Sequence, residues 1–105
     1  MVLPPILRAK CAVDTRYIHK EARRYYIRSG REMACAICHY SKHVEICHIV
    51  AIAEHDDDDL VVVINALSNL VALCPTHHKE YDRGLLSQDK LQAIREAASE
   101  FPHTE

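Results

Sequence analysis

Four potential zinc ligands lie in two short motifs that are widely separated in the chain. Cys35 and Cys38 form a Cys-x-x-Cys motif, and Cys74 and His77 form a Cys-x-x-His motif that begins 36 residues after Cys38. Two such pairs, brought together from two loops, supply the four thiolate and imidazole ligands of a closed tetrahedral zinc site. A shared ion requires the two segments to lie side by side, so we predict a structural zinc on these four residues.

Composition favours metal binding over a disulfide framework. The chain has 105 residues, which predicts one domain spanning 1–105, near the size at which a hydrophobic core suffices only marginally. It holds five cysteines and eight histidines, and a disulfide scaffold has no use for the histidines and pairs only an even number of cysteines. A thiol redox pair at Cys35 and Cys38 is the alternative, although neither motif is flanked by a thioredoxin-like βαβ pattern.

The second motif opens a helix that holds further metal-binding groups. An apolar run at 70–73 predicts a short strand, and Pro75 favours the start of a helix over 75–83. On such a helix His78 and Asp82 are four positions apart and share one face. The helix can therefore serve two metal centres, one at its start and one on the following turn.

We predict four segments in this order: an extended arm (1–13), a basic helix (14–30), a zinc-stapled core (31–86) and a C-terminal helix and tail (87–105). Asp14 is a suitable N-cap for the first helix, and Gly30 is suited to its end. Phe101 belongs to the apolar side of the last helix, which Pro102 ends.

Within the core, residues 43–53 predict a strand, 54–59 an acidic loop and 60–67 a return of the chain to the hydrophobic interior. An acidic run of this kind is usually a solvated loop. A second cation bound there is the less favoured alternative, because hard cations need oxygens that converge on one point.

Charge is segregated along the chain. Residues 1–45 have a balance of +5 and residues 46–105 a balance of −7, within a net charge of −2. This pattern fits a basic face that touches phosphates and an acidic half that binds cations. Neither the N-terminal residues nor the longest apolar stretch, 60–67, has the length of a signal peptide or membrane span, so we expect a cytoplasmic protein.

Four sequence motifs, taken together and in this order, indicate a protein family. They are Cys35-x-x-Cys38, Glu45-x-Cys47-His48-Ile49, the segment from Asn69 through Cys74-Pro75-x-His77-His78, and Asp82-Arg83-Gly84-Leu85. They resemble the HNH nucleases of the ββα-metal superfamily, and most of all the restriction-type branch. The resemblance covers about 31–86. It implies an α+β fold in which a small ββα-metal domain with a zinc knuckle is flanked by an N-terminal and a C-terminal helix.

The resemblance implies a metal-dependent endonuclease that hydrolyses DNA phosphodiester bonds. His48 matches the general base, and a neutral imidazole with a pKa of about 6.5 suits that role. Asn69 matches an orienting asparagine, whose amide can hold the loop or the base in place. His78 and Asp82 match the ligands of the catalytic divalent cation, for which Mg²⁺ or Mn²⁺ is expected and Ni²⁺, Co²⁺ or Zn²⁺ is compatible.

Two positions depart from the commoner family pattern. Cys47 stands just before the base, where many members place an Asp or His ligand. A thiolate is soft and is a poor ligand for Mg²⁺, so a buried Cys47 would leave the cation with two protein ligands. The fourth zinc ligand is His77 rather than the commoner cysteine, and His78 is the alternative at that position.

The resemblance also implies DNA as the partner, contacted mainly through its backbone in the minor groove. A chain of 105 residues has little room for a separate recognition domain. We therefore expect weak sequence specificity, a homodimer or a targeting partner. The main rival is a non-catalytic zinc-knuckle module that binds nucleic acid or protein, in which Cys47 marks decay of the metal site.

Overall fold

The computed structural model describes residues 5–99. Its helices and strands are, in chain order, α1 (Thr15–Arg28), β1 (Glu45–His48), α2 (Val61–Ile64), β2 (Leu70–Leu73), α3 (Pro75–Asp82) and α4 (Gln88–Ser99). Short 3-10 turns lie at Pro5–Leu7, Lys10–Ala12, Ile52–Glu54 and Leu67–Asn69. The predicted fold, a small ββα unit between an N-terminal and a C-terminal helix, is confirmed. Predictions for 1–4 and 100–105, including Phe101 and Pro102, lie outside the described residues.

The two strands pair antiparallel at the centre of the fold. Glu45 pairs with Leu73 and His48 with Leu70, so β1 ends beside the start of β2. All four residues of β2 are buried. Because side chains alternate across a strand, Ile46 packs on one face of the pair and Cys47 on the other. α3 follows β2 after a single residue and completes the ββα unit.

The hydrophobic core lies on both faces of this strand pair. The face toward α1 is formed by Ala22, Tyr26, Val44, Ile46, Leu70 and Ala72. The face toward α4 and the first zinc motif is formed by Cys35, Cys47, Val71, Leu73, Cys74, Leu86 and Ile94. A smaller cluster holds α2 against the start of α1 and consists of Ile18, Ile52, Val61 and Ile64. Within residues 5–99, no helix combines the length and the apolar character needed to cross a membrane.

A buried arginine fastens the end of α1 to the start of β2. Arg31 is 6% exposed, and its guanidinium donates to the carbonyl oxygens of Leu67 and Leu70, each at 2.9 Å. The same group lies over the ring of Tyr26, 4.4 Å from its centroid. The planar guanidinium fork suits such a multiple contact.

Local signals place the ends of α1 and α3 as predicted. The side chain of Asp14 accepts a hydrogen bond from the backbone N–H of Arg16 at 2.8 Å, which caps α1. Pro75 occupies the first turn of α3. Gly30 and Gly84 follow the two helices with φ of +80° and +70°, a left-handed conformation that glycine adopts without strain.

The predicted extended arm differs in the structure. Within its described part, Pro5–Leu7 and Lys10–Ala12 are 3-10 turns. Between them Ala9 forms an isolated antiparallel bridge with Leu60. The described part of the arm is therefore folded onto the segment that leads into α2, instead of being extended throughout.

The predicted strand over 43–53 is also wrong in its length. β2 begins at Leu70, opposite His48, so the residues after His48 have no strand to pair with. The backbone N–H of Ile49 donates instead to the carbonyl of Asn69 at 2.9 Å, and a 3-10 turn follows. The hydroxyl of Tyr81 donates to the carbonyl of Ile49 at 2.6 Å, which attaches the end of α3 to this loop.

Candidate active site and metal centre

The four predicted zinc ligands converge at the start of α3. Their ligand atoms all lie within 4.8 Å of one another. The Sγ atoms of Cys38 and Cys74 are 3.9 Å apart, and His77 Nδ1 lies 3.5 Å from Cys35 Sγ. The corners of a tetrahedral zinc site with Zn–S bonds of about 2.3 Å are roughly 3.5–3.8 Å apart. The donor set therefore fits a closed zinc site with three cysteines and one histidine, and His77 rather than His78 is the fourth member.

The backbone around the first cysteine pair is folded as a knuckle. The N–H of Ile37 points to Cys35 Sγ at 3.4 Å. His39 has a left-handed φ of +66° and donates its N–H to the carbonyl of Cys35 at 2.8 Å. Burial raises the pKa of the Cys35 thiol, but the surrounding backbone N–H groups, that of Cys74 first, outweigh burial and lower the pKa to about 6. At Cys35 the knuckle thus favours the thiolate, the form that binds metal.

His48 ends β1 and is held by a chain of buried hydrogen bonds. It is 7% exposed, and its Nε2 lies 2.7 Å from Asn65 Oδ1. Asn65 Nδ2 donates to the carbonyl of Ile18 at 3.1 Å, which sets the orientation of the amide. An amide oxygen can only accept, so in the neutral ring Nε2 holds the proton and Nδ1 keeps its lone pair.

The surroundings of His48 favour its neutral form. Burial is the largest cause that lowers the pKa of His48, and the nearby imidazoles of His19, His55 and His78 lower it further. The hydrogen bond to Asn65 opposes this shift without cancelling it. A neutral imidazole is the form that accepts a proton at physiological pH.

His78 and Asp82 face each other along α3. Their Nε2 and Oδ2 atoms are 3.6 Å apart, and His78 Nδ1 lies 2.7 Å from Glu45 Oε1 on β1. When Nδ1–H donates to Glu45, Nε2 of the neutral ring keeps a lone pair near the Asp82 carboxylate. Two electron-rich atoms at this distance are stabilised by a shared proton or by a cation between them, so the pair fits part of a divalent-cation site.

These groups line one cleft. Its walls include His48 from β1 and the pair His78 and Asp82 from α3, together with Thr15 and His19 from α1. The cavity volume is about 600 Å³, within the range of about 300–1,000 Å³ that is usual for ligand pockets. The His48 imidazole and the His78–Asp82 pair therefore open onto the same space.

The order and placement of these groups correspond to a known family. A family model described as HNH endonuclease matches residues 35–87, just over half of the chain. The match includes both zinc motifs, β1, β2 and α3. The chain belongs to the HNH endonuclease family. No curated protein and no solved structure matches it.

Asn69 of this HNH endonuclease domain contacts the loop that follows β1. Its Oδ1 accepts from the backbone N–H of Val50 at 2.8 Å. Its Nδ2 donates to the carbonyl of Ile64 at 2.9 Å and to that of Val50 at 3.2 Å. The resemblance allows two roles for this amide, and its contacts fit the holding of the loop. Asn65 is the residue that contacts His48.

Cys47 lies in the core of the HNH endonuclease domain. It is 1% exposed, and its Sγ lies 3.6 Å from the carbonyl oxygen of His48. Burial first, and then the charge of Asp82, raise the pKa of the Cys47 thiol to about 12. A buried neutral thiol is a poor metal ligand, so the geometry does not support Cys47 as a third ligand of the cation.

The acidic loop of the HNH endonuclease domain brings three carboxylates together. Ligand atoms of Asp56, Asp58 and Asp59 lie within 4.8 Å of one another, and the first two residues are exposed. Asp59 Oδ2 also lies 3.1 Å from His55 Nδ1. Exposed acidic clusters of this kind are common without an ion, so the preferred interpretation remains a solvated loop.

Three further residues of the site had no role assigned from the sequence. Asn65 is an amide within the apolar run 60–67. A polar group in a core segment needs a buried hydrogen-bond partner, so the sequence alone could have indicated a buried contact for Asn65. Glu45 reaches α3 only because β1 and α3 pack together. His19 lies on α1, outside the matched family region, and the fold brings its ring centroid to 5.6 Å from that of His48.

Proposed function

We propose that this chain is a metal-dependent endonuclease that cuts DNA by hydrolysing phosphodiester bonds. The observation that supports the proposal is the single cleft in which His48 and the pair His78 and Asp82 face the same space. Phosphodiester hydrolysis needs a base that takes a proton from water, and positive charge that offsets the charge developing on the phosphate and the leaving oxygen. The cleft offers groups for both tasks.

His48 is the general base in this proposal. Its Nε2 is engaged by Asn65, so Nδ1 is the atom that takes the proton from the attacking water. Asn65 Oδ1 continues to accept from Nε2–H when the ring becomes an imidazolium, which stabilises the charged form. Burial of the ring and its hydrogen bond hold it in one orientation, as proton transfer to a positioned base requires.

His78 and Asp82 would hold the catalytic cation. An imidazole and a carboxylate leave coordination positions for water and substrate oxygens, which suits Mg²⁺ or Mn²⁺ and also admits Ni²⁺, Co²⁺ or Zn²⁺. When bound, the cation offsets the negative charge that builds up on the phosphate and the leaving oxygen. Glu45 accepts a hydrogen bond from His78 Nδ1, which sets the tautomer and orients the ring.

The zinc ion of this proposal is structural. The ligands would be Cys35, Cys38, Cys74 and His77. Such a closed set leaves no position for substrate. Its contribution is to fix the start of α3 to the knuckle, and the next residue along α3 is His78.

DNA would be bound mainly through its backbone. The exposed basic residues of α1 are Arg16, Lys20, Arg23, Arg24 and Arg28. Basic side chains of this kind contact phosphates and position a protein without reading sequence. Insertion into the minor groove, weak specificity, a homodimer or targeting partner, and a cytoplasmic location remain predictions.

Plasmid nicking tests the proposal. We expect the zinc-loaded wild type to nick supercoiled plasmid with Mg²⁺, Mn²⁺ or Ni²⁺, and His48→Ala to lose at least about a hundredfold in rate. His48→Gln keeps an N–H donor for Asn65 and separates loss of the base from damage to the buried hydrogen bond. Gln92→Ala is the control, because Gln92 is an exposed residue of α4 outside the cleft. A folded wild type that cuts with none of these ions would overturn the proposal.

One observation favours a second candidate, a non-catalytic zinc-knuckle module that binds nucleic acid or protein. Cys47 is buried at a position where a cation ligand would be expected in the family pattern. In that case the folded chain would bind DNA without cutting it, and His78→Ala would leave binding unchanged in the presence of each divalent ion.

A further inference from the structure

A second wall of the cleft comes from residues outside the matched family region. Lys10, Thr15 and His19 line it, whereas the family match begins at residue 35. Each of the three side chains has a hydrogen-bond donor, which is an ammonium, a hydroxyl and a ring N–H respectively. The cleft therefore presents donors from the N-terminal part of the chain and cation ligands from α3.

His19 is the member of this wall that lies against the base. The ring centroids of His19 and His48 are 5.6 Å apart, and their planes meet at 79°, an edge-to-face contact. His48 is 7% exposed, whereas His19 is exposed to solvent. Both rings also line the same cleft. A phosphate that reacts there with water activated at His48 would therefore lie in a space that the His19 ring also borders.

We propose that His19 is a substrate-binding residue that donates a hydrogen bond to a non-bridging oxygen of the scissile phosphodiester. This inference rests on the proposed endonuclease function. A phosphodiester is the ligand that fits, because its free oxygens accept hydrogen bonds and its charge is negative. Lys10 also lines this wall, where its Nζ donates to the carbonyl of His55 at 2.7 Å and lies 3.9 Å from Asp57 Oδ1, which offsets part of its positive charge. The donors of this wall and a cation on α3 would contact different oxygens of one phosphate.

Two substitutions separate substrate binding from packing against the base. His19→Phe keeps an aromatic ring beside His48 and removes the donor, whereas His19→Gln keeps an N–H donor and loses the ring. We expect kcat/KM for plasmid nicking to fall about 10- to 100-fold in His19→Phe, as expected for the loss of one hydrogen bond to a charged group. His19→Gln should recover most of that loss. Gln92→Phe also replaces a hydrogen-bond donor with an aromatic ring, at an exposed residue of α4 outside the cleft, and should cut at the wild-type rate.

DNA binding without cleavage gives a readout that does not depend on activity. With Ca²⁺ in place of Mg²⁺, we expect a short DNA duplex to bind His19→Phe about tenfold more weakly than the wild type or Gln92→Phe. A wild type that binds but does not cut would defeat the endonuclease proposal, and the binding comparison would still test His19.

The inference is overturned if His19→Phe binds and cuts as the wild type does, because the ring would then act by packing alone. It is overturned equally if His19→Gln is as impaired as His19→Phe. Thermal melts of the zinc-loaded variants check the fold. If His19→Phe has no melting transition, His19→Ala takes its place in the same comparison.

Discussion

The two candidate metal sites at α3 differ in how complete their ligand sets are. At the start of the helix, ligand atoms from Cys35, Cys38, Cys74 and His77 lie within 4.8 Å of one another. One residue later the second region begins, where His78 and Asp82 stand 3.6 Å apart and are partly open to solvent. Closed sets stabilise folds, and open sets leave room for water and substrate. Substitutions of the neighbouring residues His77 and His78 are therefore expected to have different effects, on folding and on cutting respectively.

The largest effect is expected from His77→Ala. Structural zinc contributes on the order of 10 kcal/mol of binding free energy, comparable with the whole stability of a small domain, about 5–15 kcal/mol. We expect His77→Ala to lose its cooperative thermal transition, measured by circular dichroism, and to bind less than one zinc ion per chain. His77→Cys restores a four-ligand set and should remain folded. A His77→Ala chain that keeps its zinc and melts like the wild type would contradict the assignment.

His78→Ala should show the opposite behaviour, with a folded chain that does not cut. We expect the melting temperature and zinc content to stay near those of the wild type, while plasmid nicking falls at least about a hundredfold. Glu45→Gln keeps an acceptor for His78 Nδ1 and weakens it, so a smaller loss of about tenfold is expected. Wild-type nicking by His78→Ala would show that the cation does not bind there.

A smaller effect is expected when pH is varied around His48. Burial lowers the pKa of His48 below its ordinary value of about 6.5. Nδ1 therefore stays unprotonated as the pH falls to about 6.5, and kcat/KM should decline only below that value. An acid limb of the kcat/KM profile centred above about pH 7 would contradict this prediction.

The free energy of unfolding should also decrease as the pH falls below about 6.5. Above about pH 6.5 His48 is neutral in both the folded and the unfolded chain, so its contribution to the free energy of unfolding is constant. Below that pH the unfolded state takes up the proton first, and the folded state loses stability. The urea midpoint of the zinc-saturated wild type should therefore fall more steeply on acidification than that of His48→Gln.

The smallest effect is expected from Cys47→Ala. The substitution removes a buried sulfur from the core, which should cost about 1 kcal/mol in the free energy of unfolding, measured by urea denaturation. Nicking should stay within about threefold of the wild-type rate, because the thiol is neutral and buried. A loss of cutting as large as that of His78→Ala would identify Cys47 as a ligand after all.

The sequence was sufficient where an element is defined by its own residues. Asp14 and Gly30 delimit α1, Pro75 starts α3, and ligand spacing pointed to the zinc cluster, because caps, turns and metal motifs are local signals. The end of β1 could not be predicted in this way. It depends on where β2 begins, and Leu70 is the last partner available to the strand.

The same distinction between local sequence signals and tertiary packing applies to the candidate site. His48, His78 and Asp82 were predicted as site residues from the resemblance to HNH nucleases, and the structure places them along one cleft. The contact between His48 and Asn65 joins residues 17 positions apart, and the contact with His19 depends on how α1 packs across the strand pair. Hydrophobic periodicity reports which face of an element is buried, but it does not report which residue lies opposite.

The hydroxyl of Tyr81 that bonds to the carbonyl of Ile49 at 2.6 Å has a consequence for affinity. α3 is attached at both ends, to the knuckle by Cys74 and His77 and to the loop after β1 by Tyr81. His78 and Asp82 lie between the two attachments, so most of the conformational entropy of their backbone is already lost when the chain folds. A cation bound there, as we propose, would order little beyond these two side chains, which favours tight binding at a site with few protein ligands.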